Sequence, residues 1–318
     1  MSTIVQYTEN GDLDRLSVAD REAPDAAAGQ VRVHVRYAGL NPVDWKILGG
    51  AFGPVQGTAG NGTDFSGVID QVGEGVEGWK PGELVFGGHG AGAQAEHLVL
   101  DDPAQSLHRV PKGLGLDTAG GLFITGRTAI AGIRAISPAE GETVYVSGAS
   151  GGVGVIAAQL AVNLGARVIG SASEANHGLL RSLGVEPVAY GDGLADRLRS
   201  LAPDGIQAAY STQDASEIEL LLGLGVPADR INAIGAGPRA AELGVHADGT
   251  AHARQEDLDW LAQAIAYAHV IAPVERVFAV DEVRESYRFL KEEHPAGKVL
   301  LRFEAAPLSE EQRAALRS

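Results

Sequence analysis

The 318-residue chain contains no cysteine. Disulfides, thiolate metal ligands and thiol nucleophiles are therefore excluded, and any chemistry must come from oxygen and nitrogen groups or a bound cofactor. Long apolar runs are also missing. No stretch of about eighteen apolar residues occurs, and the first residues show no basic-then-apolar leader, so a cytoplasmic protein without a membrane partner is expected. Positive charge is scarce, with 25 Lys and Arg against 41 Asp and Glu and a formal net charge of −16. Nucleic acid asks for clustered cations, so it is not an expected partner. Internal repeats and low-complexity linkers are absent, and the length suffices for two cores of ordinary domain size.

Glycine is abundant, at 43 residues, and one cluster of it is informative. Thr143-Val144-Tyr145-Val146 reads as a strand, Ser147-Gly148-Ala149-Ser150-Gly151-Gly152-Val153-Gly154 as a turn, and the alanine-rich Val155–Ala161 run as a helix. Backbone N–H groups at a helix N-terminus, with no Cβ in the way, suit a pyrophosphate. The spacing is G-x-x-G-x-x-G over Gly148, Gly151 and Gly154, not the strict G-x-G-x-x-G, and glycines also serve plain turns. A second strand at Ala166–Ser171 supports the dinucleotide reading. Ser150, Gly151, Gly152 and Val153 are the candidate phosphate contacts.

Ahead of this loop lie short alternating runs broken by Gly, Pro and Asn, such as Val31–Tyr37 and Ser66–Gly73. From about Thr125 strands alternate with helices, through Ile206–Tyr210 and Arg230–Gly235. A strand near Val277, a helix from about Asp281 to Glu293, and a strand over Gly297–Phe303 follow. The pattern predicts an α/β protein. Residues 125–269 form a Rossmann domain with a doubly wound parallel sheet, preceded by a mostly-β domain over 1–124 that 270–318 completes. Ser309 with Gln312 three residues on signals a terminal helix.

Several motifs now converge. Gly39-Leu40-Asn41-Pro42-Val43-Asp44, Gly62-Thr63-Asp64-Phe65-Ser66-Gly67-Val68, Val72-Gly73-Glu74-Gly75-Val76, Gly82-Glu83-Leu84-Val85 and Gly297-Lys298-Val299-Leu300 resemble, as a set, the medium-chain dehydrogenase/reductase superfamily and its quinone oxidoreductase branch. The resemblance implies a GroES-like catalytic domain, a Rossmann NADP-binding domain, a cofactor held in the cleft between them, and a homodimer through the edge strand near Arg230 to Ile234. Zinc-dependent members place a cysteine where Asn41 stands and a histidine where Thr63 stands. The nine histidines show no ligand spacing with a nearby carboxylate, so no metal is expected. Losing that Lewis acid disfavours alcohol oxidation and favours hydride transfer to a quinone or an α,β-unsaturated carbonyl. A nucleotide-binding sensor or structural protein without turnover is the alternative.

In the superfamily's register Ala172 takes the place of the acid that holds the ribose in NAD sites. Ser171 and Ser173 flank it, and Tyr190 matches a tyrosine at the 2′-phosphate of related quinone reductases, so NADPH is the expected cofactor. Glu174 and the lack of Lys or Arg over 173–178 oppose this, unless His177, Arg181 or Arg197 folds close. Asn41 is the expected catalytic donor to a carbonyl oxygen, although Asn before Pro42 also suits a plain turn. Asp44 and Lys46 are expected to pair at the surface. Thr128 matches a threonine near the nicotinamide and otherwise reads as a helix cap. His97 is a possible acid or a packed strand residue, and water is the expected proton donor. Gly87–Gly92 and Gly235–Gln255 are candidate substrate-shaping segments. Tyr287 and Lys291 fit the Y-x-x-x-K of short-chain dehydrogenases, but the preceding domain and the helical spacing of Val283, Tyr287 and Leu290 argue for an amphipathic helix.

Overall fold

A computed structural model describes residues 1–317. It divides into two compact units, one of Met1–Ile124, Leu258–His269 and the chain from Pro273 onward, the other of Thr125–Asp257 with Val270–Ala272. The segment Leu258–His269 therefore groups with the first unit, where the sequence pattern places it in the second.

The second unit is built on five parallel strands, in spatial order Glu186–Ala189, Arg167–Ala172, Thr143–Val146, Ala208–Ser211 and Ile231–Ala233. In chain order that is 3-2-1-4-5, the doubly wound arrangement. Val144, Tyr145 and Val146 are all buried, as expected of a central parallel strand covered on both faces. The helix Gly152–Asn163 starts at the glycine loop, and its small residues Gly154, Ala157, Ala158 and Ala161 are all buried. The edge at Ile231–Ala233 is already engaged from within: His246 N–H donates to Ile231 O at 2.9 Å, and Ala233 N–H to His246 O at 2.8 Å. A second copy cannot extend the sheet there without displacing that segment.

The first unit carries a longer sheet in the order Val274–Ala279, Lys298–Arg302, Val31–Gly39, Asp64–Val72, Leu84–Gly88 and Leu107–Arg109, with His97–Leu100 also pairing on Val31–Gly39. Val31, Val33 and Val35 alternate into a core with Phe65, Ile69, Val85 and Tyr287. The late strand Lys298–Arg302 returns antiparallel to the early one, pairing Leu300 with Gly39 and Arg302 with Tyr37. This pairing brings Lys298 beside Asn41. At the terminus the predicted capping box forms, with Gln312 N–H donating to Ser309 Oγ at 3.1 Å and Ser309 N–H to Gln312 Oε1 at 2.8 Å. Among the described residues no helix is long and apolar enough to cross a membrane.

Candidate active site

In the first unit a single buried polar cluster gathers Asn41, Asp44, Thr63, Asp64, Lys298, Tyr287, Asn61 and Gln94. Asn41 lies just before the helix Pro42–Leu48, and its backbone N–H donates to Asp44 Oδ2 at 2.8 Å, while its side chain does not cap the helix. The amide turns instead into the cluster. Lys298 Nζ donates to Asn41 Oδ1 at 2.7 Å and to Leu40 O at 2.8 Å, with Asp64 Oδ2 at 3.5 Å. Because an ammonium only donates, Asn41 must present its oxygen to Lys298 and its nitrogen elsewhere. That nitrogen donates to Thr63 Oγ1 at 3.2 Å, and Thr63 donates in turn to Asp44 Oδ1 at 3.1 Å. On the far side Asn61 and Gln94 donate to Tyr287 Oη at 2.8 and 2.7 Å, and Tyr287 donates to Asp44 Oδ2 at 3.0 Å. Hydrogen-bond direction is thus set from both ends, converging on Asp44.

The electrostatics follow from burial. Desolvation pushes the Asp44 carboxyl up to about 7, with the Asp64 charge adding to the rise, while the Asn41 N–H, Lys298 and Tyr287 pull it back. Burial also raises Asp64 and lowers Lys298, and in each case the attraction between the two opposes the shift. Burial first, then the charge of Asp44, lifts the Tyr287 phenol well above its ordinary value, so it stays a donor. A linkage prediction results. The folded Asp44 keeps its proton up to about pH 7 whereas the unfolded one releases it near 3.8, so this group costs stability as pH rises through that window. Asp44→Asn is expected to flatten that fall. Urea unfolding of both proteins at a series of pH values measures it, and parallel pH dependences would refute it.

The expected surface pair is corrected: Asp44 is 1% exposed, whereas Lys46 is exposed and makes no bond to it. Three donors meet the buried Asp44 carboxyl and offset part of its desolvation. Tyr287 is buried while Lys291 is exposed, so the Y-x-x-x-K pair does not assemble. Lys298, Asp64, Asn61 and Gln94 were not singled out as site residues from sequence. One signal was available: a lysine opening the apolar run Val299-Leu300-Leu301, in a strand whose neighbours are all buried.

In the second unit the helix Gly152–Asn163 starts at Gly151 without a side-chain cap, so its first-turn N–H groups stay open to an acceptor. Gly148 adopts φ +55°, and a Cβ on Gly154 would lie 2.1 Å from Gly148 O. Ser150 accepts from Asn176 Nδ2 at 3.1 Å. Ser171 Oγ accepts from Gly148 N–H at 3.2 Å and is 2% exposed, so it ties the loop to its strand. Ser173 immediately follows the same strand, and Tyr190, half exposed, follows the next. Arg197 donates to the carbonyls of Ala189, Tyr190, Gly191 and Asp192, and His177 lies 3.3 Å from Ala172 O, so the guanidinium is spent on backbone. Thr128 sits within the helix Leu122–Ile136, with its carbonyl accepting from Tyr210 Oη at 3.1 Å, and is not a cap.

The histidines need one correction. Strand pairing sets His34 opposite His97, and with Glu96 they bring three ligand-type atoms within 4.8 Å of one another. Separation in sequence hides this cross-strand cluster. The two rings stack at 4.6 Å with an interplanar angle of 16°, so their in-plane lone pairs run side by side and do not converge on one point. Burial lowers both imidazoles below the ordinary histidine value.

Comparison with known proteins agrees with this architecture. The family described as "Alcohol dehydrogenase GroES-like domain" matches residues 27–123. The chain is 31% identical over 194 residues to 2-methylene-furan-3-one reductase of Solanum lycopersicum, covering 57% of this chain and 50% of that protein. It is 29% identical over 178 residues to quinone oxidoreductase 1 of Escherichia coli K12, covering 55% and 54%. Erythronolide synthase EryA2 of Saccharopolyspora erythraea is 38% identical over 180 residues, which is 54% of this chain and 5% of that protein. The chain thus spans about half the length of the two reductases and a small part of the synthase. Among solved structures, E. coli quinone oxidoreductase complexed with NADPH superposes with a TM-score of 0.84 at 20% identity, over 95% of this chain and 100% of that one. The quinone oxidoreductase of Coxiella burnetii gives 0.83 at 23% identity, over 95% and 99%. Residues 27–123 thus match a GroES-like domain, and the fold of the chain is that of these quinone oxidoreductase structures.

Proposed function

We propose that the chain is a zinc-independent oxidoreductase that uses NADPH to reduce a quinone or an α,β-unsaturated carbonyl. One observation carries the zinc-free part. The two positions where zinc-dependent relatives keep ligands hold Asn41 and Thr63, bonded to each other at 3.2 Å inside a cluster whose donors are already directed. Neither an amide nor a threonine hydroxyl replaces a thiolate and an imidazole at a tetrahedral zinc.

The second unit fits a dinucleotide: an uncapped helix start, a left-handed Gly148, and a Gly154 contact that a Cβ would fill. Ser150, Gly151, Gly152 and Val153 would hold the pyrophosphate, Ser173 and Tyr190 the 2′-phosphate end, and Thr128 the nicotinamide end. Ser171 supports the loop from behind. NADPH, when bound, supplies the hydride. Asn41 donates to the acceptor's carbonyl oxygen as charge builds there, and its bond to Thr63, at 3.2 Å, is the one an acceptor oxygen takes over. Lys298 keeps the amide in that orientation. The functional unit is proposed to be a homodimer in the cytoplasm, formed on a surface other than the engaged strand edge.

NADPH oxidation, with NADH in parallel, against quinones, enones and simple aldehydes in the presence of chelator tests this. Chelator-resistant turnover with quinones or enones is expected. NADPH binding without turnover on any acceptor would replace the enzyme with a sensor. Gly154→Ala is expected to lower stability by about 1–3 kcal/mol, because the added methyl meets backbone, and to weaken NADPH binding. Thermal unfolding and a fluorescence titration check both.

A further inference from the structure

Away from the Asn41 cluster, the first unit holds a cavity of about 600 Å³ lined by Arg36, Tyr37, Leu116, Arg302, Phe303 and Leu308, among others. None of its lining residues belongs to that cluster. It lies where the returning strand Lys298–Arg302 pairs with Val31–Gly39, which sets Arg302 opposite Tyr37. Two arginines, Arg36 and Arg302, line it. Among the described residues neither Arg36 nor Arg302 has a hydrogen-bond acceptor or an ion-pair partner, and Arg36 Nε is buried without one. Glu304 lines the same cavity and pairs with neither.

The neighbours on the same strand show how unusual this is. Arg32 is held by Asp70 and Asp25 at 3.0 and 3.1 Å, and His34 is stacked on His97. In a chain with net charge −16, acids are plentiful, yet neither of these two arginines pairs with one, Glu304 in the same cavity included. A buried N–H with no acceptor is costly, and an oxyanion supplied from outside would satisfy it. The guanidinium fork matches a carboxylate in two parallel charge-assisted bonds. Beside Glu304 the wall has an apolar part: Tyr37, Leu116 and Leu308 pack with Val68 and Leu84 in a small separate cluster, and Phe303 is nearly fully buried. We propose that this cavity is a binding site for a small monocarboxylate with an apolar tail, its head between Arg36 and Arg302 and its tail toward Leu116 and Leu308.

The test is calorimetric titration of the full chain with octanoate, acetate and inorganic phosphate, repeated with NADPH and an enone present. Octanoate is expected to bind saturably, and acetate at least about tenfold more weakly, because the tail adds apolar burial. Arg302→Gln, at an exposed position, and Arg36→Gln should each weaken octanoate about tenfold or more. Arg199→Gln, an exposed arginine of the second unit, controls for net charge and should change nothing. Absence of saturable binding, an equal loss in Arg199→Gln, phosphate binding more tightly than octanoate, or displacement of octanoate by the enone or NADPH would each overturn the site. The readout does not require turnover, so it stands or falls separately from the proposed reductase activity.

Discussion

Lys298→Met is expected to cost about 3–5 kcal/mol of folding stability, because it leaves a buried carboxylate with its cation removed. Lys298 is 6% exposed and Asp64 is fully buried, and the ammonium's acceptors are Leu40 O, Asn41 Oδ1 and Asp64 Oδ2. Methionine fills similar volume and supplies no donor, so two oxygens lose their partner and a charge loses its counter-charge. The double variant Lys298→Met with Asp64→Asn should recover a large part of the loss, since removing both charges ends the imbalance. Urea unfolding of the four proteins in a double-mutant cycle measures the coupling. A single-variant cost below about 1 kcal/mol, the range of a surface pair, would show that solvent reaches the site.

Asn41→Ala is expected to lower kcat by about a hundredfold, the scale of losing one preorganised donor to a developing oxyanion. Affinity for NADPH should be unchanged, because the residues proposed to hold it are in the other unit. Some stability should be lost as well, since Lys298 and Thr63 each lose a partner. The diagnostic is therefore kcat per folded molecule, measured well below the unfolding midpoint. A variant that is less stable but turns over at the original rate would reduce Asn41 to a spacer in the cluster.

Much of the architecture was legible in the sequence because it rests on local periodicity. Val144, Tyr145 and Val146 followed by closely spaced glycines predict a strand and an open helix start, and both form. Ser309 and Gln312 predict a capping box, which forms. Asn41 was legible as a polar residue of interest through its motif, but its surroundings were not. Its bond to Lys298 joins residues 257 positions apart, and Tyr287 reaches Asp44 across 243. No local pattern encodes such a meeting. Asp44 was placed at the surface because a carboxylate near a lysine in a short helix usually is exposed. The cross-strand pairing of His34 with His97 was missed for the same reason, since register is a property of two strands.

The order in which the chain leaves the ribosome bears on that long-range bond. Residues 125–257 form most of one compact unit and are synthesised before the strand Lys298–Arg302 exists. The strands of the inserted unit pair only with one another, so it can fold while the earlier one still waits for its last strand. Until that strand arrives, Asp64 has no ammonium beside it and the Asn41 amide has nothing to hold its oxygen. A nascent chain that stops before Lys298 therefore has the strands of its second unit in hand and an unassembled polar centre, so the late strand is the step that closes that centre.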